Sequence, residues 1–249
     1  MTGNPLRGAS YLLRGFSFIF KPSIRRYVMM PLSINIVLFI GLIFLGINQF
    51  ETLLAWLMPD LPNWLQWLKW PLWMFFSIST LVLIFYTFSI IANIVSSPFN
   101  GPLAAAVERE INPNITTTQS QENTQLSIMR DILVSIKHEV EKLLYMVFCF
   151  FPALILFFIP VVNIAAPVVW FLLGAWLLAL EYADYPMSNH GINFKDTKKK
   201  LRQKGGTSMG FGAITMGATI IPGINLIVIP AAVAGATIMW VENFSENND

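Results

Sequence analysis

LLYMVFCFFPALILFFIPVVNIAAPVVWFLLGAWLLAL, residues 143–180, contains no Asp, Glu, Lys or Arg. One helix of about 20 apolar residues spans a bilayer core. This run is too long for one span and short for two, and Pro152, Pro160 and Pro167 interrupt it. Leu143–Ile159 supplies 17 residues, about 26 Å as a helix. The spacing predicts a helical hairpin with its turn inside the membrane. Gly205–Val241 is a second charge-free run, interrupted by Pro222 and Pro230. Its Met209–Ile221 stretch supplies 13 residues, about 20 Å. Ile159-Pro160-Val161-Val162-Asn163-Ile164 and Ile221-Pro222-Gly223-Ile224-Asn225-Leu226 share the pattern I-P-x-x-N-[I/L]. Two similar breaks predict two similar hairpins. Non-helical backbone at membrane depth must be buried in protein or face water. The tip residues Asn163 and Asn225 either cap their own turns or line a pore, and the spacing leaves both open.

Two more charge-free stretches lie upstream, Tyr27–Phe50 and Trp70–Val107. They predict full transmembrane helices over Pro31–Phe50 and about Pro71–Ser96, the second ending at Pro98. Between them, Trp56, Trp64, Trp67, Trp70 and Trp73 read as an interfacial aromatic belt. Of 249 residues, 55% are hydrophobic and 12% charged, with mean hydropathy +0.60. Soluble domains carry roughly 25% charged residues, so a soluble enzyme is excluded. The single Cys149 allows no intrachain disulfide. The fold class expected is an all-α integral membrane protein: two long transmembrane helices, two half-inserted hairpins and an extramembrane helical segment.

The charges mark the boundaries of one membrane domain, 1–249. Residues 1–28 form an interfacial amphipathic N-terminus holding Arg7, Arg14, Lys21, Arg25 and Arg26 and no acid. Residues 29–99 hold the two transmembrane helices. Residues 100–142 are a polar helical excursion, with Pro102–Ile111 helical, Asn112–Gln125 a loop, and Leu126–Tyr145 an amphipathic helix of 3.6 period. Residues 143–180 are the first hairpin, 181–204 a basic loop, 205–241 the second hairpin and 242–249 an acidic tail. The first apolar run begins at Pro31 and lacks a small-x-small cleavage site, so it reads as a span rather than a cleavable signal. The basic N-terminus is expected in the cytoplasm, with 51–69 facing outward.

Catalytic patterns are missing from the sequence. His138 and His190 are the only histidines, and neither has a second ligand at metal spacing. Gly205-Gly206 and Gly210-x-Gly212 follow no strand and form no nucleotide loop. No cofactor, metal or nucleic acid is expected. The polar feature that stands out is Lys21-Pro22-Ser23-Ile24-Arg25-Arg26. Pro22 or Ser23 can start a helix, with Ser23 as its cap. A helix start offers backbone N–H groups and the positive dipole end, and two guanidiniums add forked donors suited to a tetrahedral oxyanion. From spacing alone, the favoured reading is that Arg25 and Arg26 grip lipid phosphates and set the topology. Ser96-Ser97-Pro98-Phe99-Asn100-Gly101-Pro102 is expected to break the second helix, leaving Glu108 and Arg109 at a solvated helix end or a pore mouth. Glu181-Tyr182-Ala183-Asp184-Tyr185-Pro186 reads as a structural latch or a transport element. Lys198–Lys200, Arg202 and Lys204 read as a lipid-facing basic patch.

Several of these strings resemble the bacterial CysZ sulfate permease family. They are Tyr11-Leu12-Leu13-Arg14-Gly15-Phe16, Lys21–Arg26 with Pro31 and Asn35, Ser96–Ala104, Val107-Glu108-Arg109-Glu110, Lys137-His138-Glu139 and Glu181–Pro186. The resemblance runs from about Gly8 to Val241. It implies sulfate uptake across the bacterial inner membrane for cysteine biosynthesis, passive or proton-coupled, by a multi-pass homo-oligomer in contact with membrane lipids. It implies a Gly-Leu-Arg-type sulfate site at Ser23, Ile24 and Arg25, with Arg26 following. Ser23 departs from that glycine and disfavours any pose needing positive φ. Glu108, Arg109, Asn35 and Asn100 would fall along the ion path or gate. The competing reading is a non-transporting membrane scaffold or assembly partner docking through 108–145. An enzyme acting on lipid headgroups lacks a nucleophile and base that can be named.

Overall fold

The computed structural model describes residues 3–57, 62–113, 125–159, 162–221 and 225–245, some of them within α2, α3, α4 and α8 by backbone alone. The described residues form eight α-helices and no strand. In chain order they are α1 (Pro5–Ile19), α2 (Pro22–Leu57), α3 (Lys69–Ile111), α4 (Gln125–Ile155), α5 (Ala166–Asn189), α6 (Phe194–Gln203), α7 (Gly205–Thr219) and α8 (Asn225–Asn243). Short 3-10 turns cover Asn63–Leu68, Leu156–Phe158 and Val162–Ala165. Contacts divide the chain into two compact units, Met1–Val28 with Asn100–Asp249, and Met29–Phe99.

The helices are longer than the hydropathy pattern predicts. α2 has 36 residues, about 54 Å, with Pro31 inside it rather than at its start. α3 has 43 and runs unbroken through Pro98 and Pro102, so the expected break at Ser96–Pro102 does not occur. Pro152, Pro186 and Pro230 likewise lie inside α4, α5 and α8. A proline removes one backbone donor, and a helix packed on neighbours absorbs that loss. Pro167 sits in the first turn of α5, where no donor is needed. The basic loop expected over 181–204 is mostly helix, because α5 continues to Asn189 and α6 follows. Most of the loop expected over 112–125 lies outside the described residues.

In the first unit, α1 lies across α7 and α8, and α5 packs on both. The core is built from Tyr11, Leu12, Ile24, Leu103, Val107, Leu180, Phe211 and Met239, with an Ala-rich stretch of α8 at 231–236. Small residues let the backbones approach closely. A methyl at Gly212 would run into the Ala175 carbonyl, and one at Gly15 into the Ala231 carbonyl.

α4 and α5 run antiparallel. Lys142 Nζ lies 3.5 Å from both Glu181 Oε2 and Asp184 Oδ2. Farther along, Trp176 Nε1 donates to the Tyr145 hydroxyl at 3.0 Å, and Trp170 Nε1 to the Ala153 carbonyl at 3.1 Å. Partner numbers rise on one helix as they fall on the other. α4 ends at Ile155 and α5 begins at Ala166, and α7 ends at Thr219 and α8 begins at Asn225; Pro160 and Pro222 lie outside the described residues. The arms of the first pair are longer than expected, however. Val140–Phe158 has 19 residues and Asn163–Asn189 has 27, each apolar and long enough to cross a bilayer, as is Asn63–Ile84 with 22. The extra length lies at the outer ends: the apolar stretch of α4 begins before Leu143, and α5 runs past Leu180 to Asn189.

The outer surfaces are apolar. Phe148, Phe151, Phe158 and Ile164 are 75%, 61%, 79% and 79% exposed. In the second unit, Val37, Phe44, Phe75 and Leu83 are exposed while Asn35, Ser77 and Thr80 are buried. Apolar faces outside and polar groups inside invert the pattern of a water-soluble globule. A multi-pass membrane protein has this distribution.

Candidate functional site

Phe18 O accepts the Lys21 N–H at 3.0 Å, a tight turn that ends α1 and launches α2. Pro22 takes the first helical position, and the Lys21 carbonyl accepts from the Ile24 and Arg25 N–H groups at 3.0 and 2.9 Å. Lys21 thus occupies the capping position that the sequence suggested for Ser23. Ile24, fully buried, and Val28 one turn later pin this end of α2 into the core. Their face fixes the opposite one, and Arg25 and Arg26 project outward and exposed. Arg26 Nη2 donates to the Tyr27 hydroxyl at 3.0 Å, its guanidinium 4.9 Å from the ring centre. Arg25 makes no ion pair among the described residues.

A carboxylate already lies at this helix start. Ser23 Oγ donates to Glu110 Oε2 at 2.8 Å, and Lys21 Nζ sits 3.2 Å from Glu110 Oε1. The Ser23 hydrogen bond, then Lys21, holds the Glu110 carboxyl below its ordinary value. Lys21 also stacks 3.9 Å from the Phe18 ring centre. Two side chains, Ser23 and Lys21, hold negative charge at this end of α2. Sequence reasoning passed over Glu110 because its partners lie 87 and 89 positions away.

Two turns of α3 hold the other expected residues. Glu108 is fully buried. Its Oε1 lies 2.8 Å from His190 Nε2 and accepts from Trp240 Nε1 at 3.3 Å. Its Oε2 is buried with no hydrogen-bond partner among the described residues. Glu108 therefore ties α3 to the C-terminal cap of α5 and to α8. Arg109, its neighbour, is exposed and donates from Nε to the Ala105 carbonyl at 3.2 Å. Successive helical residues face different surroundings, and the structure does not pair the two. Asn100 is buried, and Asn189 Nδ2 donates to the Gly101 carbonyl at 3.0 Å. His190 and Trp240 carried no local signal, being 82 and 132 residues from Glu108.

The remaining candidates lie apart from these. Asn35 belongs to the second unit, buried as are Ser77 and Thr80. Asn163 is exposed in the turn after α4, its N–H donating to the Ile159 carbonyl at 3.0 Å. Asn225 is the first residue of α8, and its side chain lies outside the described residues, as does that of His138. No cluster of metal-binding side chains occurs among the described residues.

Residues 11–230 match the family described as "Sulfate transporter CysZ/Etoposide-induced protein 2.4". The chain is 40% identical to the sulfate transporter CysZ of Pseudomonas syringae pv. tomato, over 97% of this chain and 94% of that one. It is 39% identical to the sulfate transporter CysZ of Pseudomonas fluorescens, over 98% and 96%. The sulfate transporter CysZ of Pseudomonas aeruginosa is 37% identical, over 97% of each chain.

Proposed function

The chain belongs to the sulfate transporter CysZ/etoposide-induced protein 2.4 family, and from that membership we propose that it carries sulfate across the bacterial inner membrane for cysteine biosynthesis. The family is one of transporters, not enzymes. Passage is passive or proton-coupled. The observation that carries the reading is the start of α2: two adjacent exposed guanidiniums beside Ser23 and Lys21, which already hold a carboxylate. Arg25 and Arg26 supply forked, permanently charged donors to the dianion. Ser23 and Ile24 shape the turn, with the Ser23 hydroxyl engaged by Glu110. Glu108, Arg109 and Asn100 near the end of α3, and Asn35 in the second unit, are assigned to the ion path.

Both helix pairs are proposed to enter the membrane as half-inserted hairpins within a homo-oligomer. Support comes from the tips. Phe158 and Ile164 beside one turn, and Ile220 beside the other, are apolar and exposed. A full crossing would place these side chains in water.

Labelled sulfate uptake into proteoliposomes tests the function. Wild type is expected to show flux that unlabelled sulfate inhibits and chloride does not. Arg25→Ala/Arg26→Ala is expected to lose at least tenfold, which is about 1.4 kcal/mol of binding. Undiminished uptake by the double variant removes the site, and absence of wild-type flux removes the function.

A further inference from the structure

α6 and Lys204, which follows it, carry six cations and one acid, Asp196. Asp196 is engaged locally: its carboxylate accepts the Asn193 amide at 2.7 Å, and its N–H donates to Asn193 Oδ1 at 3.0 Å. Phe194, Thr197 and Leu201 bury one face of the helix. Lys195, Lys199 and Arg202, spaced i, i+4 and i+7, form one exposed stripe on the other. None of the six cations forms an ion pair among the described residues. Lys198, Lys200 and Lys204 instead place their ammonium groups 4.4, 5.5 and 5.7 Å from the ring centres of Tyr145, Trp240 and Phe244.

The position of α6 narrows the partner. It joins α5, whose Asn163–Asn189 stretch is long enough to cross a bilayer, to the apolar α7. A helix between two apolar helices, with ammonium groups over aromatic rings, fits the headgroup layer of a membrane. The stripe from Lys195 to Arg202 is about 10 Å long. One sulfate or phosphate ion is too small to bridge it, whereas a row of lipid phosphates matches it.

We propose that α6 is a docking surface for anionic phospholipid headgroups, with Lys195, Lys199 and Arg202 as its contact residues. Each basic side chain near an anionic surface contributes about fivefold in affinity, so the stripe contributes about 100-fold. The expected preference is for phosphatidylglycerol over phosphatidylcholine, weakening as salt rises.

Native mass spectrometry of the full chain, mixed in detergent with equal phosphatidylglycerol and phosphatidylcholine, measures this. Wild type is expected to retain phosphatidylglycerol selectively. Lys195→Gln/Lys199→Gln/Arg202→Gln is expected to lose that selectivity with an unchanged melting temperature, since all three side chains are exposed. Lys195→Arg/Lys199→Arg/Arg202→Lys keeps the charges and is expected to keep the selectivity. Undiminished selectivity in the neutral variant overturns the proposal, and so does its loss in the charge-preserving one. Displacement of the lipid by inorganic phosphate alone also overturns it, showing a free-oxyanion site instead. Sulfate flux is not the readout, so the result stands apart from the transport proposal.

Discussion

Glu110 and Glu108 sit two positions apart on α3 and meet opposite surroundings. Glu110 is solvent-facing and held by Ser23 and Lys21. Glu108 is fully buried between His190 and Trp240. Burial decides the cost of losing each. Truncating Glu108 leaves the buried Trp240 Nε1–H without an acceptor, removes the partner of His190 and opens a cavity, a loss of about 2–4 kcal/mol. Glu108→Ala is therefore expected to lower the detergent-solution melting temperature sharply, and Glu108→Gln, which keeps an acceptor, to lower it less. Equal losses would mean that the hydrogen bonds matter little. Glu242 gives a pH prediction. Arg14 at Oε1 is the main cause, with the Tyr11 hydrogen bond, of a carboxyl held below its ordinary value of 4.5. A depressed folded-state value contributes stability that is fully present above the unfolded value and lost as pH falls through the folded one. The α1–α8 attachment should thus weaken below about pH 4.5. Glu242→Gln should remove that part of the acid dependence in melting measured from pH 7 to pH 3.

Among the helices, close crossings rest on single glycines. Gly212 in α7 faces the Ala175 carbonyl of α5 with no room for a methyl group. Gly212→Val is expected to push the two helices apart and destabilise the protein by about 1–3 kcal/mol, read as lower yield of folded protein on size exclusion. Gly217, with nothing within 4 Å of an added methyl among the described residues, should accept alanine unchanged. The same elements show how far local pattern reaches. The helix ends at Ile155 and Thr219 lie close to the breaks that the repeated proline pattern suggested. The break expected at Pro98 and Pro102 was not there. A proline interrupts a helix only when nothing else holds the backbone, and that depends on neighbours distant in the sequence.

At the scale of the molecule, the hairpin depth is open to direct test. With Cys149 replaced, single cysteines at Asn163 and Asn225 should resist a membrane-impermeant thiol reagent applied to either face of inverted and right-side-out vesicles. Free labelling of either from the side opposite the chain termini would make that pair a full crossing. The charge map of the chain decided that this is a membrane protein, where its apolar stretches begin and end, and that basic residues gather ahead of the first charge-free stretch. These follow from solvation, which acts on each segment by itself: about 20 uncharged apolar residues partition into lipid whatever follows them. The joining of Glu108 to His190 and Trp240, of Glu110 to Ser23, and of Lys142 to Asp184 was decided only by the tertiary structure. Each joins groups 42 to 132 residues apart. Which polar groups meet depends on how helices cross. Crossing angles are set by the summed packing of many small residues, which no local window contains.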